Sequence, residues 1–115
     1  MIVTRLFTGD DGETHFEDVE LDLHPDRVHM LTDGVPASEI IFRETPADAF
    51  NDYHKPARRQ YTINLEGTIE LESGTGERRV LGPGTVMLVE DLTGRGHMSR
   101  GIAGEIRRSI VVGLD

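Results

Sequence analysis

The chain has 115 residues, 12 of them basic and 21 acidic, for a formal net charge of −9 with its five histidines neutral. That length makes one domain, residues 1–115, with a modest core, so association between copies is a natural way to hide more apolar surface. The absence of cysteine excludes a disulfide framework and a thiolate metal site, and the negative charge argues against nucleic acid as a partner.

No apolar run approaches the length of a membrane span. Residues 1–5 carry no long apolar stretch of the signal-peptide kind, so the cytoplasm is the expected location.

Residues 2–7 read as a strand, ended by Gly9-Asp10-Asp11-Gly12. Val19, Leu21 and Leu23 alternate with Glu20 and Asp22, the period of a half-buried strand. His24-Pro25-Asp26 turns the chain, residues 27–32 are a short strand, and Asp33-Gly34-Val35-Pro36 turns it again. Residues 38–44 contain Ile40, Ile41 and Phe42 and form the next strand. Residues 45–52 are a polar loop with room for one helical turn at 46–49. Strands at 59–66 and 68–72 meet at Gly67, and Ser73-Gly74-Thr75-Gly76 makes a hairpin turn. Residues 79–81 and 85–90 flank Gly82-Pro83-Gly84, residues 91–96 are a loop, and residues 105–114 close the chain. No window keeps a helical apolar period for three turns. The pattern predicts an all-β domain with little or no helix, a sandwich or a small barrel.

Two polar clusters stand at the ends of strand-like segments: His54-Lys55-Pro56-Ala57-Arg58-Arg59-Gln60, and His97. On these residues, the stretch 52–101 resembles the cupin superfamily of small single-domain jelly-roll barrels. The family's first motif runs Gly, five residues, His-x-His, three or four residues, Glu, six residues, Gly. His54 stands at its first His, Gln60 at its Glu and Gly67 at its final Gly, with the spacing from Gln60 to Gly67 kept. Pro56 holds the second His position, and the leading Gly is absent. The second motif runs Gly, five residues, Pro-x-Gly, two residues, His, three residues, Asn. Gly94 and His97 match its Gly and His, Leu92 stands at the Pro and Gly101 at the Asn. The turn Gly82-Pro83-Gly84-Thr85-Val86 is similar to the one that precedes this motif. The resemblance implies a cupin-type jelly-roll β-barrel of short antiparallel strands. It also implies a divalent metal ion (Fe, Zn, Ni or Mn) held by His54, Gln60 and His97. Imidazole nitrogen suits such ions. The Gln60 amide is a neutral donor, so the set leaves the ion's charge uncancelled and favours an anionic substrate.

Strand alternation adds a wall to this site. If Gln60 points into the barrel, Thr62 and Asn64 follow it and Tyr61, Ile63 and Leu65 face outward. Thr62, Asn64 and, if the strand extends that far, Arg58 are the candidate substrate-binding residues. The outward row needs cover, which predicts a homodimer. Asp52 could supply the missing carboxylate or orient His54, or be an exposed loop acid. His15 could reach the pocket, but it reads, like His24 and His29, as a surface residue; Glu90-Asp91, at the loop that carries His97, could act as a base near the mouth, with a turn or cap as the default.

Two functional hypotheses follow. One is a metal-dependent cupin enzyme of dioxygenase, isomerase or lyase type acting on a small polar or anionic metabolite. The other is a non-catalytic small-molecule-binding cupin that needs no ion.

Overall fold

Period-two alternation dictates strands here, and the computed structural model, which describes residues 1–114, contains no helix among them. In chain order the strands are β1 (Ile2–Thr8), β2 (Thr14–Glu20), β3 (His24–Asp26), β4 (His29–Leu31), β5 (Glu39–Thr45), β6 (Phe50–His54), β7 (Gln60–Glu66), β8 (Thr68–Ser73), β9 (Arg78–Leu81), β10 (Val86–Glu90), β11 (His97–Ile102) and β12 (Arg107–Gly113).

Hydrogen bonding sorts them into a six-stranded sheet in the order β2-β1-β10-β7-β12-β5, a four-stranded sheet in the order β6-β11-β8-β9, and the small hairpin β3-β4. The pairing of β1 with β10 is parallel; the other paired strands are antiparallel. The two larger sheets face each other as a sandwich. The all-β expectation holds, although the strands do not close into one continuous hydrogen-bonded ring.

Alternation decides which side chains enter the space between the sheets. Leu6 of β1, Phe16 of β2, Met87 and Val89 of β10, Ile69 and Leu71 of β8 and Leu81 of β9 form the apolar core. Removing that much apolar surface from water is the main favourable term holding the sheets together. On β7, Thr62 and Asn64 are buried while Leu65 is exposed, as the predicted inward and outward rows require.

The structure differs from the sequence reading in four places. Strand β2 starts at Thr14, and Leu21 and Leu23 lie past its end. The alternation from Val19 was a poor guide because the buried residues of β2 are Thr14 and Phe16, earlier in the chain. His24-Pro25-Asp26 is a strand rather than a turn; the reversal falls at Arg27, whose φ is 55°. Residues 46–49 make a single turn, closed by Ala49 N–H donating to the Pro46 carbonyl at 3.1 Å, with no helix. Finally, β6 and β11 form where the sequence showed a loop and no element. Their inward residues include His54, His97 and Ser99, so no apolar alternation marks them.

Candidate functional site

The two strands without an apolar signature carry both histidines. His54 ends β6 and His97 begins β11, and the two are register partners across the antiparallel ladder. Their rings lie 4.6 Å apart between centroids with an interplanar angle of 56°. Gly96 makes this approach possible. Its φ is +76°, and a Cβ there would collide with the His54 carbonyl oxygen. Only glycine combines that backbone with that closeness.

Each imidazole is oriented through Nδ1. In His54, Nδ1–H donates to the Asp52 carbonyl at 2.8 Å, which leaves Nε2 as the acceptor; the Asn51 amide Nδ2 lies 3.3 Å from it. Burial, the largest influence, holds the His54 pKa below the ordinary imidazole value despite the opposing Asp52 bond. His54 therefore favours its neutral form. His97 Nδ1 is 2.7 Å from Asp91 Oδ2, and Thr14 Oγ1 donates to the same oxygen at 2.7 Å. Asp91 is fully buried, and its Oδ1 has no hydrogen-bond partner among the described residues. A carboxylate behind an imidazole fixes the ring and keeps Nδ1 protonated, leaving Nε2 to face a ligand. The sequence reading assigned Glu90-Asp91 a turn or cap. The side chain of Asp91 instead anchors His97.

These groups converge on one open cavity of about 560 Å³ between the sheets. His54, Gln60, Thr62 and His97 all line it, so the predicted site residues from strands far apart in sequence do meet. Asn64 and Arg58 are placed differently. The Asn64 amide donates to the carbonyls of Gly67 at 2.8 Å and Gly82 at 3.0 Å, tying together two turns, and borders only a small recess beside the cavity. Arg58 is not among the residues around the cavity. It lies 3.4 Å from Glu39 and donates to Ser38 Oγ at 3.2 Å. The strand begins at Gln60, so its alternation does not extend back to Arg58.

The two arginines of the lining, Arg43 of β5 and Arg107 of β12, have no signal in the sequence that marks them as site residues. Each lies in a strand segment crowded with outward charges, and single-residue alternation was the only available signal. No acidic residue lines the cavity. For a divalent ion, the Nε2 atoms of His54 and His97 are well-supported donors, and Gln60 can add an amide oxygen. The ion would find no carboxylate in the lining and two guanidiniums nearby. Among the described residues no group of three His, Cys, Asp or Glu side chains is placed to hold a metal.

No helix among the described residues is long and apolar enough to cross a membrane. No protein-family model matches the chain, and no curated protein does. Among solved structures, the chain is similar to an ethanolamine utilization protein Q from Salmonella typhimurium LT2. The identity is 18%, the alignment covers 99% of this chain and 96% of that one, and the TM-score is 0.44.

Proposed function

We propose that the chain is a cupin-type small-molecule-binding protein that takes a small polar ligand into the cavity between its sheets. The observation that carries this reading is the convergence of His54, Gln60, Thr62 and His97 on one open space, with both imidazoles held through Nδ1. A cavity of that size, whose walls mix apolar side chains with nearly as many polar ones, suits a small polar metabolite. Thermal-shift screening against small polar metabolites, repeated on His97→Gln and Gln60→Ala, tests it. Ligands that stabilise the wild type and lose their effect in both variants support the reading. Ligands that act equally on all three proteins refute it.

A second reading is a divalent ion on His54, Gln60 and His97, favoured by the Nδ1 partners, which leave Nε2 as the acceptor nitrogen of both rings; the ion would displace the 3.3 Å Asn51 amide from His54 Nε2. Such an ion would act as a Lewis acid on an oxygen-bearing ligand. Metal analysis of untagged protein decides. A stoichiometric ion lost in both His54→Ala and His97→Ala, and held more tightly in Gln60→Glu, supports the ion.

We also propose a homodimer through the outer face of the six-stranded sheet. Phe42, Ile110, Ile63 and Val86 are successive cross-strand partners, as are Ile40, Val112, Tyr61 and Leu88. Two apolar rows across four strands form an outer patch of the kind that marks association sites. Light scattering at micromolar concentration tests this, and a monomer there would remove the proposal.

A further inference from the structure

Arg107 and Arg108 are neighbours in β12 with opposite surroundings. Arg108 points outward and binds Glu44 at 2.8 Å and Glu66 at 2.5 Å. Arg107 points inward, is 9% exposed, and has no ion pair among the described residues; its Nε has no hydrogen-bond partner there either. In the antiparallel register Arg107 faces Thr45 and Ser109 faces Arg43. The two inward arginines are therefore diagonal neighbours on one face. Arg43 Nε donates to Ser109 Oγ at 3.1 Å, and Arg43 also has no ion pair among the described residues. Unlike Arg107 it is exposed, on the edge strand β5, where it lines the open cavity. Desolvation lowers the pKa of both groups, and the charge of Arg43 adds to the effect on Arg107.

The surroundings fit these charges to an incoming anion. Beside the main cavity lies a recess of about 20 Å³, bordered by both arginines and by Thr45, Thr62, Asn64 and Ser109. That is room on the order of one oxygen atom with its hydrogen-bond donors. Gly67, with φ +79°, leaves space for the Arg107 stem, since a Cβ there would lie 2.7 Å from Arg107 Cγ. A buried guanidinium without a counter-charge is costly. In a chain with an excess of acids, the cavity nevertheless carries two cations and no carboxylate. Guanidinium groups offer donors in a planar fork that matches carboxylate and phosphate oxygens.

We propose that Arg43 and Arg107 form a clamp for the oxyanion group of a small organic acid, seated at the recess and extending into the cavity. This rests on the reading of the cavity as a ligand site and gives that ligand its chemical class.

The test measures binding by calorimetry and melting temperature at fixed ionic strength. The probes are succinate, inorganic phosphate and the neutral analogue succinamide. The proteins are wild type, Arg107→Met, Arg43→Met and, as an outward control, Arg108→Gln. Succinate or phosphate is expected to bind saturably, with their relative affinity identifying the preferred oxyanion, while succinamide does not bind. Either inward substitution is expected to weaken anion binding about 10- to 100-fold, the usual worth of hydrogen bonds to a charged group. Arg108→Gln should leave binding unchanged. Without ligand, Arg107→Met should melt above the wild type, because it removes an uncompensated buried charge. The clamp is overturned if neither anion binds, or if both inward variants bind anions as the wild type does. Succinamide bound as tightly as succinate, through His97 and not through Arg107, would overturn the clamp while leaving the ligand cavity standing. Should Arg107→Met fail to fold, Arg43→Met on the edge strand decides alone.

Discussion

Two groups of inward side chains share the space between the sheets, sit on the same kind of strand and do opposite things. On β1, β2 and β10 the inward residues are Leu6, Phe16, Met87 and Val89, and they cluster with Ile69, Leu71 and Leu81; five of these seven also form an apolar wall of the cavity. On β7, β12 and β5 the polar inward residues Gln60, Thr62, Arg107 and Arg43 line the same cavity. Strand geometry is common to both; side-chain chemistry separates them. Apolar side chains can interdigitate to crystal-like density. Amides, hydroxyls and guanidiniums need partners, so they tolerate close packing only where those partners exist. The apolar group therefore supplies stability, and the polar group is left for a ligand to complete.

Substitutions sharpen that contrast, beginning with the apolar group. Leu6 and Leu71 are 0% and 1% exposed. Leu71→Ala is expected to lower unfolding stability by about 2–5 kcal/mol in urea titration, the range for buried leucines that leave a cavity. A loss below about 1 kcal/mol would show that the apolar group is not well packed. Next comes the Asp91 anchor. Asp91→Ala strands the Thr14 hydroxyl and His97 Nδ1, and should cost about 1–3 kcal/mol for the unmade buried bonds. In the same variant the His97 ring signals in NMR should broaden or shift, since the ring loses its orienting partner. An unchanged spectrum would remove Asp91 from the site.

A smaller effect is expected from the ion pairs of Glu90 with Arg5 and Arg59. Burial pushes the Glu90 carboxyl up, but hydrogen bonds from Arg5 and Arg59 outweigh it and hold its pKa below the usual value. The unfolded chain then binds the proton first as pH falls. Stability is fully present above the ordinary carboxylate range and declines as pH falls through it toward the folded pKa. Glu90→Gln should flatten that acid limb in pH-dependent melting, and an unaltered limb would place the titration elsewhere. Smallest in stability is Phe42→Asp on the outer face, where Phe42 is 74% exposed. It should change the stability of a single copy by no more than about 0.5 kcal/mol. If the outer apolar rows join two copies, the same substitution shifts sedimentation from dimer to monomer.

Much of the strand content was legible in the sequence. The strands 2–7, 59–66 and 85–90 lie within a residue or two of β1, β7 and β10, because their alternating or continuous apolar residues leave a period that needs no tertiary context. The inward row of Gln60, Thr62 and Asn64 followed from the same period. The rest of the polar site was harder to read. Strands β6 and β11 bury polar residues, so hydrophobic periodicity was silent over the very segments that carry His54 and His97. Arg43 and Arg107 look like their outward charged neighbours until register separates them.

The linear chain thus determined the strand content, the missing helix period and the direction of side chains along each clear strand, all properties fixed within a few residues by backbone geometry. Tertiary structure decided which of those side chains share a space. Pairing β5 with β12 sets two inward guanidiniums beside each other, pairing β6 with β11 brings two imidazoles to 4.6 Å, and the β10–β11 loop brings Asp91 behind one of them. Those meetings depend on register between segments dozens of residues apart. No local pattern specifies that register, because it comes from the whole sandwich burying its apolar face at once.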